Sequence, residues 1–491
     1  MQKPERLIGF VEVEDINYPF EFNEETFTLN LYPPSIEVQD KKRFAFWDVI
    51  NGTAKDVHEW TPHKRISGVS FGGKATATVN GSVFSGIGHH ILFDVQNFEA
   101  NYNGFISYQV NWYFLHKEGI RQFGISGFRL SGSTINYFYN PEVVLQRKVE
   151  FAENGTGLTG FSVSSVAMQC NVDCGEYLLT DDVTAKITVT AYPTMHYQTA
   201  SNPIDAMSVF TTMFSRPLRD GEIDVLIKAY EHSRLFFHYV SYRRNIGLYN
   251  VDVCYLNENN KLDYSGLLVF KEREQEEIHK EANQRMIDYS VIGTHTAELF
   301  SLVAKHTFDY EHICESIDDT HIYSSSRAFM ILAEFERESS DIYGRDSDRS
   351  QAYQNVKQNI LNMIDEIIAS SSKKEREYAK KFRRHVEKHS NGFQSNIIKA
   401  LNDCRLIMEP FVRKKYQSEF NEAVEGIGKR MGDMRNGLAH SDLFLRLEPI
   451  HLIDLKIVEE LIYAMRLKTI LQDPAIVQKG ISNLFGESLD I

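Results

Sequence analysis

The sequence predicts an α+β multidomain protein: a β-rich, sandwich-like N-terminal domain, a mixed middle region and an all-α helical bundle at the C-terminal end. Three observations carry this reading. Apolar residues alternate with polar ones at a period of two through the first ~200 residues, as half-buried strands require. From about Tyr323 onward the period becomes helical and stays so. Proline then appears only at Pro410, Pro449 and Pro474. The boundaries drawn from these changes are 1–200, 201–319 and 320–491.

The strands are read first. Phe27, Leu29 and Leu31 alternate with Thr26, Thr28 and Asn30, and Tyr108, Val110, Trp112 and Phe114 with Gln109, Asn111 and Tyr113. Ile187, Val189 and Ala191 do the same against Lys186, Thr188 and Thr190. Asn80-Gly81 and Asn103-Gly104 punctuate the runs as hairpin turns. Many short strands with frequent turns predict a sandwich or a barrel. Tyr192-Pro193 to Asn202-Pro203 reads as a connector, with prolines among polar residues.

In the middle region Ile223, Leu226, Ile227 and Tyr230 share one face of a helix predicted over 221–243. Strands follow at 249–253 and 266–270, and a charged helix starts near Glu272 and runs towards Lys305. Beyond Tyr323 the pattern predicts five or so helices to about residue 475. Val356, Ile360, Ile364, Ile367 and Ile368 form one apolar stripe, and Leu452, Leu455, Val458, Leu461 and Met465 another.

Composition narrows the function classes. Hydrophobic residues are 42% and charged residues 24% of the chain, so each domain can bury a core. No run reaches the roughly 18–20 apolar residues of a membrane span. Five cysteines, an odd number, predict reduced thiols in a cytoplasmic protein. The start, Met1-Gln2-Lys3-Pro4-Glu5-Arg6, has no apolar segment of a secretory leader. In that compartment the glycosylation-type triplets at Asn51, Asn80 and Asn154 carry no weight.

Fifty-three basic against 67 acidic residues give a net charge of −14, which by itself argues against a phosphate partner. The charge is unevenly placed. From Thr320 on there are 26 basic and 25 acidic residues, which leaves 27 and 42 for positions 1–319. The densest basic run holds Lys373, Lys374, Arg376, Lys380, Lys381, Arg383, Arg384 and Lys388. With Arg413-Lys414-Lys415 and with Lys429 and Arg430 it predicts a track for an RNA backbone. The competing explanation is a solvated helix face.

Other motifs fall short. Cys170 and Cys174 form a C-x3-C with no second Cys/His pair at finger spacing. His89-His90 reads as a turn or edge pair, and Gly86-Ile87-Gly88 lacks the rest of a dinucleotide fingerprint. Neither a metal nor a small-molecule cofactor is expected.

The most informative stretch is Met434-Arg435-Asn436-Gly437-Leu438-Ala439-His440-Ser441. Cleaving RNA without metal requires activating the 2′-hydroxyl beside the scissile phosphate and stabilising charge on a phosphorane-like transition state. Histidine titrates near neutral pH and can move the proton. Arginine's planar, always-charged fork clamps two phosphate oxygens. An adjacent asparagine can orient either one. On an ideal helix Asn436 and His440 stand about 40° apart, but Arg435 and His440 about 140°. Either the helix breaks at Gly437, a poor helix former, or two chains contribute to one site.

Arginine, a polar residue and then a histidine five positions after the arginine resemble the Arg-x(4–6)-His motif of the HEPN superfamily. The order of elements is similar too: an early helix, 327–336, ending in Glu336, a helix over 416–434 before the motif, and a terminal helix over 452–471. More narrowly, the chain resembles the ApeA-like group, in which a β-rich N-terminal domain precedes a HEPN domain. Leu7-Ile8-Gly9-Phe10 and Leu29-Asn30-Leu31-Tyr32-Pro33-Pro34 carry that part of the likeness.

The resemblance implies a metal-independent endoribonuclease of antiphage defence by abortive infection, with transfer RNA as substrate. It implies Arg435, Asn436 and His440 as catalytic residues; Glu336 either joins them by holding Arg435 in place or is a structural carboxylate on its helix face. It also implies a homodimer through the 320–491 bundle and an N-terminal domain that senses a phage trigger. The alternative is a non-catalytic HEPN fold serving dimerisation or binding, with the β-rich domain recognising a protein or a glycan. The intact Arg435-Asn436…His440 set favours the enzyme.

Overall fold

The structure, a computed structural model, describes residues 6–13, 15–35, 64–71, 88–100, 106–117, 124–151, 158–195, 204–219, 221–248, 250–256, 259, 261–271, 276–305, 311–344, 351–388, 392–439 and 447–489. An antiparallel β-sheet region is followed by an all-helical region. The chain forms two compact units, Met1–Phe237 with Asn245–Ile278, and His238–Arg244 with His279–Ile491. Residues 201–319 thus divide between the two. Among the described residues no helix is long and apolar enough to cross a membrane.

The first unit is built on one sheet of twelve antiparallel strands. In chain order these are β1 (Arg6–Val13), β2 (Ile16–Asn23), β3 (Thr28–Leu31), β4 (Lys64–Phe71), β5 (Gly88–Ala100), β6 (Ile106–Lys117) and β7 (Ile125–Ser131). A separate hairpin, β8 (Leu145–Phe151) and β9 (Leu158–Ser165), comes next. The sheet resumes with β10 (Cys170–Thr180), β11 (Val183–Met195), β12 (Ile204–Leu218), β13 (Asn250–Leu256) and β14 (Leu262–Phe270).

Strand β6 closes the N-terminal part into a ring. Its first residues, Ile106–Gln109, pair with β3, while β5 pairs along its other edge. Strands β1, β2, β3, β6, β5 and β4 therefore form a cycle, the barrel closure that the strand pattern left open. Further along β6, Trp112–His116 pair with β14 and hand the sheet on to the remaining strands. Alternation decides what fills the ring: Phe20, Phe22, Leu29, Leu31, Phe93 and Tyr113 are all buried in one cluster. Phe20 meets Phe93 edge-on with ring centres 5.4 Å apart.

One expectation here is corrected. Tyr192-Pro193 is not connector but the end of β11, where Pro193 stands opposite Ala206. Strand β10 pairs only as far as Ala191, so the proline, which cannot donate to a ladder, sits where one neighbour has already ended. The hairpin turns at Asn80-Gly81 and Asn103-Gly104 lie outside the described residues.

A helix over Ile223–Ser241 forms as its spacing predicts, and Tyr242, at φ 52°, ends it. The continuous charged helix does not form. Residues 276–288 are non-helical, and two short helices follow, Tyr289–Ile292 and Thr296–Ala304. Tertiary contacts fix this backbone: Ala282, Met286 and Ile287 are buried, and Arg285 Nε donates to Leu484 O at 3.0 Å. Asp288 caps the first short helix through the Val291 N–H, and Gly293, at φ 51°, turns the chain out of it.

The second unit holds eight longer helices among the described residues, more than the five expected. We number them α1 (Ser325–Tyr343), α2 (Gln351–Ser370), α3 (Lys373–Lys388), α4 (Phe393–Asp403), α5 (Arg405–Tyr416), α6 (Phe420–Ala439), α7 (Pro449–Ile470) and α8 (Pro474–Phe485). The count rises because short breaks, such as Ser371-Ser372 and Cys404, escape a periodicity reading. Helix α7 is central, buried along most of its length. Of its stripe, Leu455, Val458, Leu461 and Met465 are buried, while Leu452 at the start of the helix is exposed. The stripe on α2 is not buried: Val356, Ile360 and Ile367 are exposed.

Charged groups fasten the central helices. Arg466 of α7 donates to the Glu338 carboxylate of α1 (Nη2–Oε2 2.8 Å), and both side chains are buried. At the other end of α1, Arg327 Nη2 reaches Glu459 at 2.7 Å. Tyr323 OH donates to the same carboxylate at 2.6 Å, and Tyr242 OH donates to it as well. A buried charge with several donors is tolerated where a lone one is not.

Candidate active site

Helix α6 carries the motif. Its buried face repeats at helical spacing through Phe420, Val424, Ile427, Met431 and Met434. Gly428 and Gly432 let α4 approach closely: a Cβ at Gly428 would stand 2.7 Å from Ile398 Cγ1, and one at Gly432 would stand 3.3 Å from Gln394 Cβ. With that face fixed, Arg435 is half-buried at the edge of the helix and Asn436 is exposed.

The helix continues through Arg435, Asn436 and Gly437 to Ala439. The motif is therefore the helix's own last turns, and Gly437 does not break it. Glycine costs a helix only about 1 kcal/mol, which a well-packed 20-residue element absorbs. Nor is the next helix terminal, since α8 follows α7. His440 lies outside the described residues.

Arg435 is brought together with Glu336 of α1. Arg435 Nη2 donates to Oε2 at 2.9 Å and to Oε1 at 3.3 Å, and Nε donates to Oε2 at 3.3 Å. Helix α1 orients Glu336 by burying Ile331, Leu332 and Phe335 on its inner face, which leaves Glu336 at the margin. The pair engages the Nε and Nη2 edge of the guanidinium, while Nη1 has no partner among the described residues. The carboxylate thus holds the fork in one plane and leaves its Nη1 edge unengaged among the described residues.

The basic residues fall into two groups. Lys373, Lys374, Lys380, Lys381 and Arg384 are exposed on α3, which carries eight basic and three acidic residues. Lys381 Nζ sits 5.5 Å from the centre of the Tyr378 ring. Arg383 is tied to α2, its Nε donating to Asp365 Oδ1 at 2.6 Å. On α6, Lys429 is exposed, but Arg430 turns inward: its Nε and Nη2 reach Asp454 at 2.6 and 2.9 Å. Tyr416 OH donates to the same carboxylate. Arg430 therefore leaves the predicted track, because a fully buried carboxylate claims its fork.

Arg413-Lys414-Lys415 is also committed within the fold. Arg413 pairs with Glu409 at 2.6 Å, Lys414 donates to Ser488 O at 2.6 Å, and Lys415 holds Glu460 at 2.8 Å and Glu487 at 3.1 Å. Periodicity could not separate Lys414 and Lys415 from the exposed lysines, because their partners lie far along the chain, whereas Arg413 pairs within its own helix.

A cleft of about 370 Å³ that no motif announces is lined by Tyr242, Arg285, His321, Lys456, Glu459 and Glu487, among others. Burial and the nearby charges of Arg285, Lys456 and Arg327 push His321 below its usual value. Elsewhere, Cys170 and Cys174 lie on β10 as thiols not joined in a disulfide, with Cys174 buried. His90 lies on β5, its ring stacked on His116 at 5.1 Å. Comparison with family models, curated proteins and solved structures finds no match.

Proposed function

We propose that this chain is a metal-independent endoribonuclease of the HEPN type, cytoplasmic, acting on transfer RNA in antiphage defence of the abortive-infection kind. The observation that carries the reading is the Glu336–Arg435 pair, with Asn436 exposed one residue further along the same helix. A guanidinium held by a carboxylate from a second helix is pre-aimed, so little ordering remains when a phosphate arrives.

In this reading the unengaged edge of Arg435 binds the non-bridging oxygens of the scissile phosphate. His440 takes the proton of the 2′-hydroxyl as O2′ bonds to phosphorus. The bond from phosphorus to O5′ breaks, and O5′ takes a proton from water, which His440 replaces by giving up the one it took. The products are a 2′,3′-cyclic phosphate and a 5′-hydroxyl end. Asn436 orients the phosphate or the imidazole. The exposed lysines of α3 and Lys429 hold flanking phosphates. The β-rich unit serves as sensor of a phage trigger, and two copies assemble through the helical unit.

The test is incubation of the purified chain with total transfer RNA, with and without the phage trigger. Cyclic-phosphate ends that are lost in His440→Ala and Arg435→Ala support the reading. A second reading is a non-catalytic dimerisation or binding module, in which the Glu336–Arg435 pair merely joins two helices. It is favoured if both variants leave RNA intact to the same degree as the unaltered chain in the presence of trigger.

A further inference from the structure

The cleft lined by Arg285 and Glu487 takes no part in the proposed RNA cleavage, and every residue lining it belongs to the second unit. Stretches remote in sequence converge on it, among them the non-helical segment at Arg285, the turn at Thr320–Tyr323, the start of α7 and the end of α8. Its volume of about 370 Å³ falls within the range of about 300–1,000 Å³ common to small-molecule sites.

Arg285 sets the chemistry of the cleft, and it is only 6% exposed. Its Nε donates to Leu484 O at 3.0 Å, which caps α8 and fixes the plane of the guanidinium. Gly486 makes room for that plane, since a Cβ there would collide with Nη1. Nη1 and Nη2 have no hydrogen-bond partner among the described residues, yet they are not sealed from solvent. The carboxylate paired most closely is Glu281, 4.0 Å from Nη1 and itself 45% exposed. The two carboxylates of the cleft are committed elsewhere. Glu459 accepts from Tyr242, Tyr323 and Arg327, and Glu487 is held by Lys415 and Lys456. Burial accordingly lowers the Arg285 pKa despite the charges of Glu281 and Glu487. A buried cation without a bonded anion is costly, and an arriving anion removes that cost.

We propose that the cleft binds a nucleoside monophosphate, its phosphate held by Arg285 and Lys456 and its base lodged against the aromatic part of the lining. The Nη1–Nη2 edge of Arg285 suits two oxygens of one phosphate. Lys456 Nζ gives one of its three protons to Glu487 at 2.6 Å and keeps two. Lys456 shares that carboxylate with Lys415, and Arg285 has none within bonding distance, so the pair can balance the double charge of a phosphate monoester. Burial and the charges of Arg285, Lys456 and Arg327 hold the exposed His321 below its usual value, as a positive cleft requires. Much of the remaining lining is apolar: Tyr242, Tyr323 and Phe485, with Leu452 and Ile453. Tyr242 and Phe485 are buried with ring centres 5.0 Å apart, so this wall is preformed. A flat, weakly polar base gains from such a wall.

The experiment is calorimetric titration of the full chain with AMP, GMP, CMP and UMP in turn, beside inorganic phosphate and the parent nucleosides. At least one monophosphate should bind one to one with a dissociation constant below about 100 μM. Phosphate alone should bind about tenfold more weakly or worse, and the parent nucleoside about a hundredfold. Arg285→Gln should weaken binding about a hundredfold. Because Arg285 also caps α8, Leu452→Trp serves beside it: this side chain, 36% exposed at the start of α7, would fill the cleft and leave the cap intact. It should abolish binding at an unchanged melting temperature. Arg435→Ala should bind as the unaltered chain does, which separates this site from the phosphate clamp proposed on α6. The proposal is overturned if no monophosphate binds the unaltered chain at millimolar concentration, or if phosphate alone binds equally well. It is overturned too if Arg285→Gln or Leu452→Trp binds normally, or if Arg435→Ala abolishes binding.

Discussion

Arg435 and Glu336 lie 99 positions apart in sequence and meet as a bidentate pair, with Nη2 to Oε2 at 2.9 Å, at the edge where α6 passes α1. Both side chains are more than a third exposed, so water screens the pair and it adds little stability. Its value lies in orientation. Glu336→Ala should leave the melting temperature nearly unchanged and lower kcat/KM for RNA by about tenfold, whereas Arg435→Ala should cost about 10²–10³-fold. Equal loss of stability and activity in Glu336→Ala would make the pair a structural tie.

Arg430 and Lys429 are neighbours in sequence with opposite fates. Arg430→Ala would leave the Asp454 carboxylate buried with its main partner gone, at a cost of about 3 kcal/mol or more. Lys429→Ala should not alter stability and should weaken RNA binding. Thermal melts beside filter binding separate the two. An Arg430→Ala protein of normal stability but poor RNA affinity would return Arg430 to the binding surface.

The exposed basic residues of α3 give a salt-dependence test. Replacing Lys374, Lys380 and Lys381 together with glutamine should weaken binding uniformly across RNA sequences. The slope of log affinity against log salt should also become shallower by about 0.7 for each phosphate contact removed from a single strand. An unaltered slope would mean that the α3 charges only solvate the helix.

Lys415 links two carboxylates that titrate in opposite directions. Burial pushes Glu460 up to about 7 against the pull of Lys415. Burial also pushes Glu487 up, but the bond from Lys456 and the charges of Lys415 and Lys456 outweigh it and hold Glu487 down to about 2. An unfolded glutamate titrates at about 4.3. The raised Glu460 contributes stability that is complete below that value and is lost as pH rises through about 7. The lowered Glu487 contributes stability present above that value and lost as pH falls through about 2. Glu460→Gln should therefore flatten the fall in stability between about pH 4.3 and 7, and Glu487→Gln should flatten the acid limb. Denaturant melts across pH check both, and an unchanged profile in Glu460→Gln contradicts the assignment.

Much of the fold was legible because burial imposes a period. The alternation at Phe27–Leu31 and at Tyr108–Phe114 marks β3 and β6, and the spacing of Ile223, Leu226 and Tyr230 marks their helix. Ring closure through β6 was not legible, since which strands share an edge depends on contacts remote in sequence. The charged helix expected from Glu272 fails for the same reason, because Arg285 and its neighbours answer to Leu484 rather than to local propensity. At the site, Arg435, Asn436 and Glu336 could be named from the motif and the helix order. The inward turn of Arg430 could not, because it depends on Asp454 and Tyr416 converging from two other helices. The α2 stripe is legible as an apolar face, yet spacing reports only that a face is apolar and not what covers it.

The central claim is metal-free RNA cleavage by Arg435 and His440. Its most direct test is incubation of the chain with transfer RNA and phage trigger in excess EDTA, followed by analysis of the new ends. The expected result is 2′,3′-cyclic phosphate and 5′-hydroxyl ends, undiminished by the chelator and absent in His440→Ala. Cleavage that stops in EDTA and returns with Mg²⁺, or that persists in His440→Ala, would contradict it.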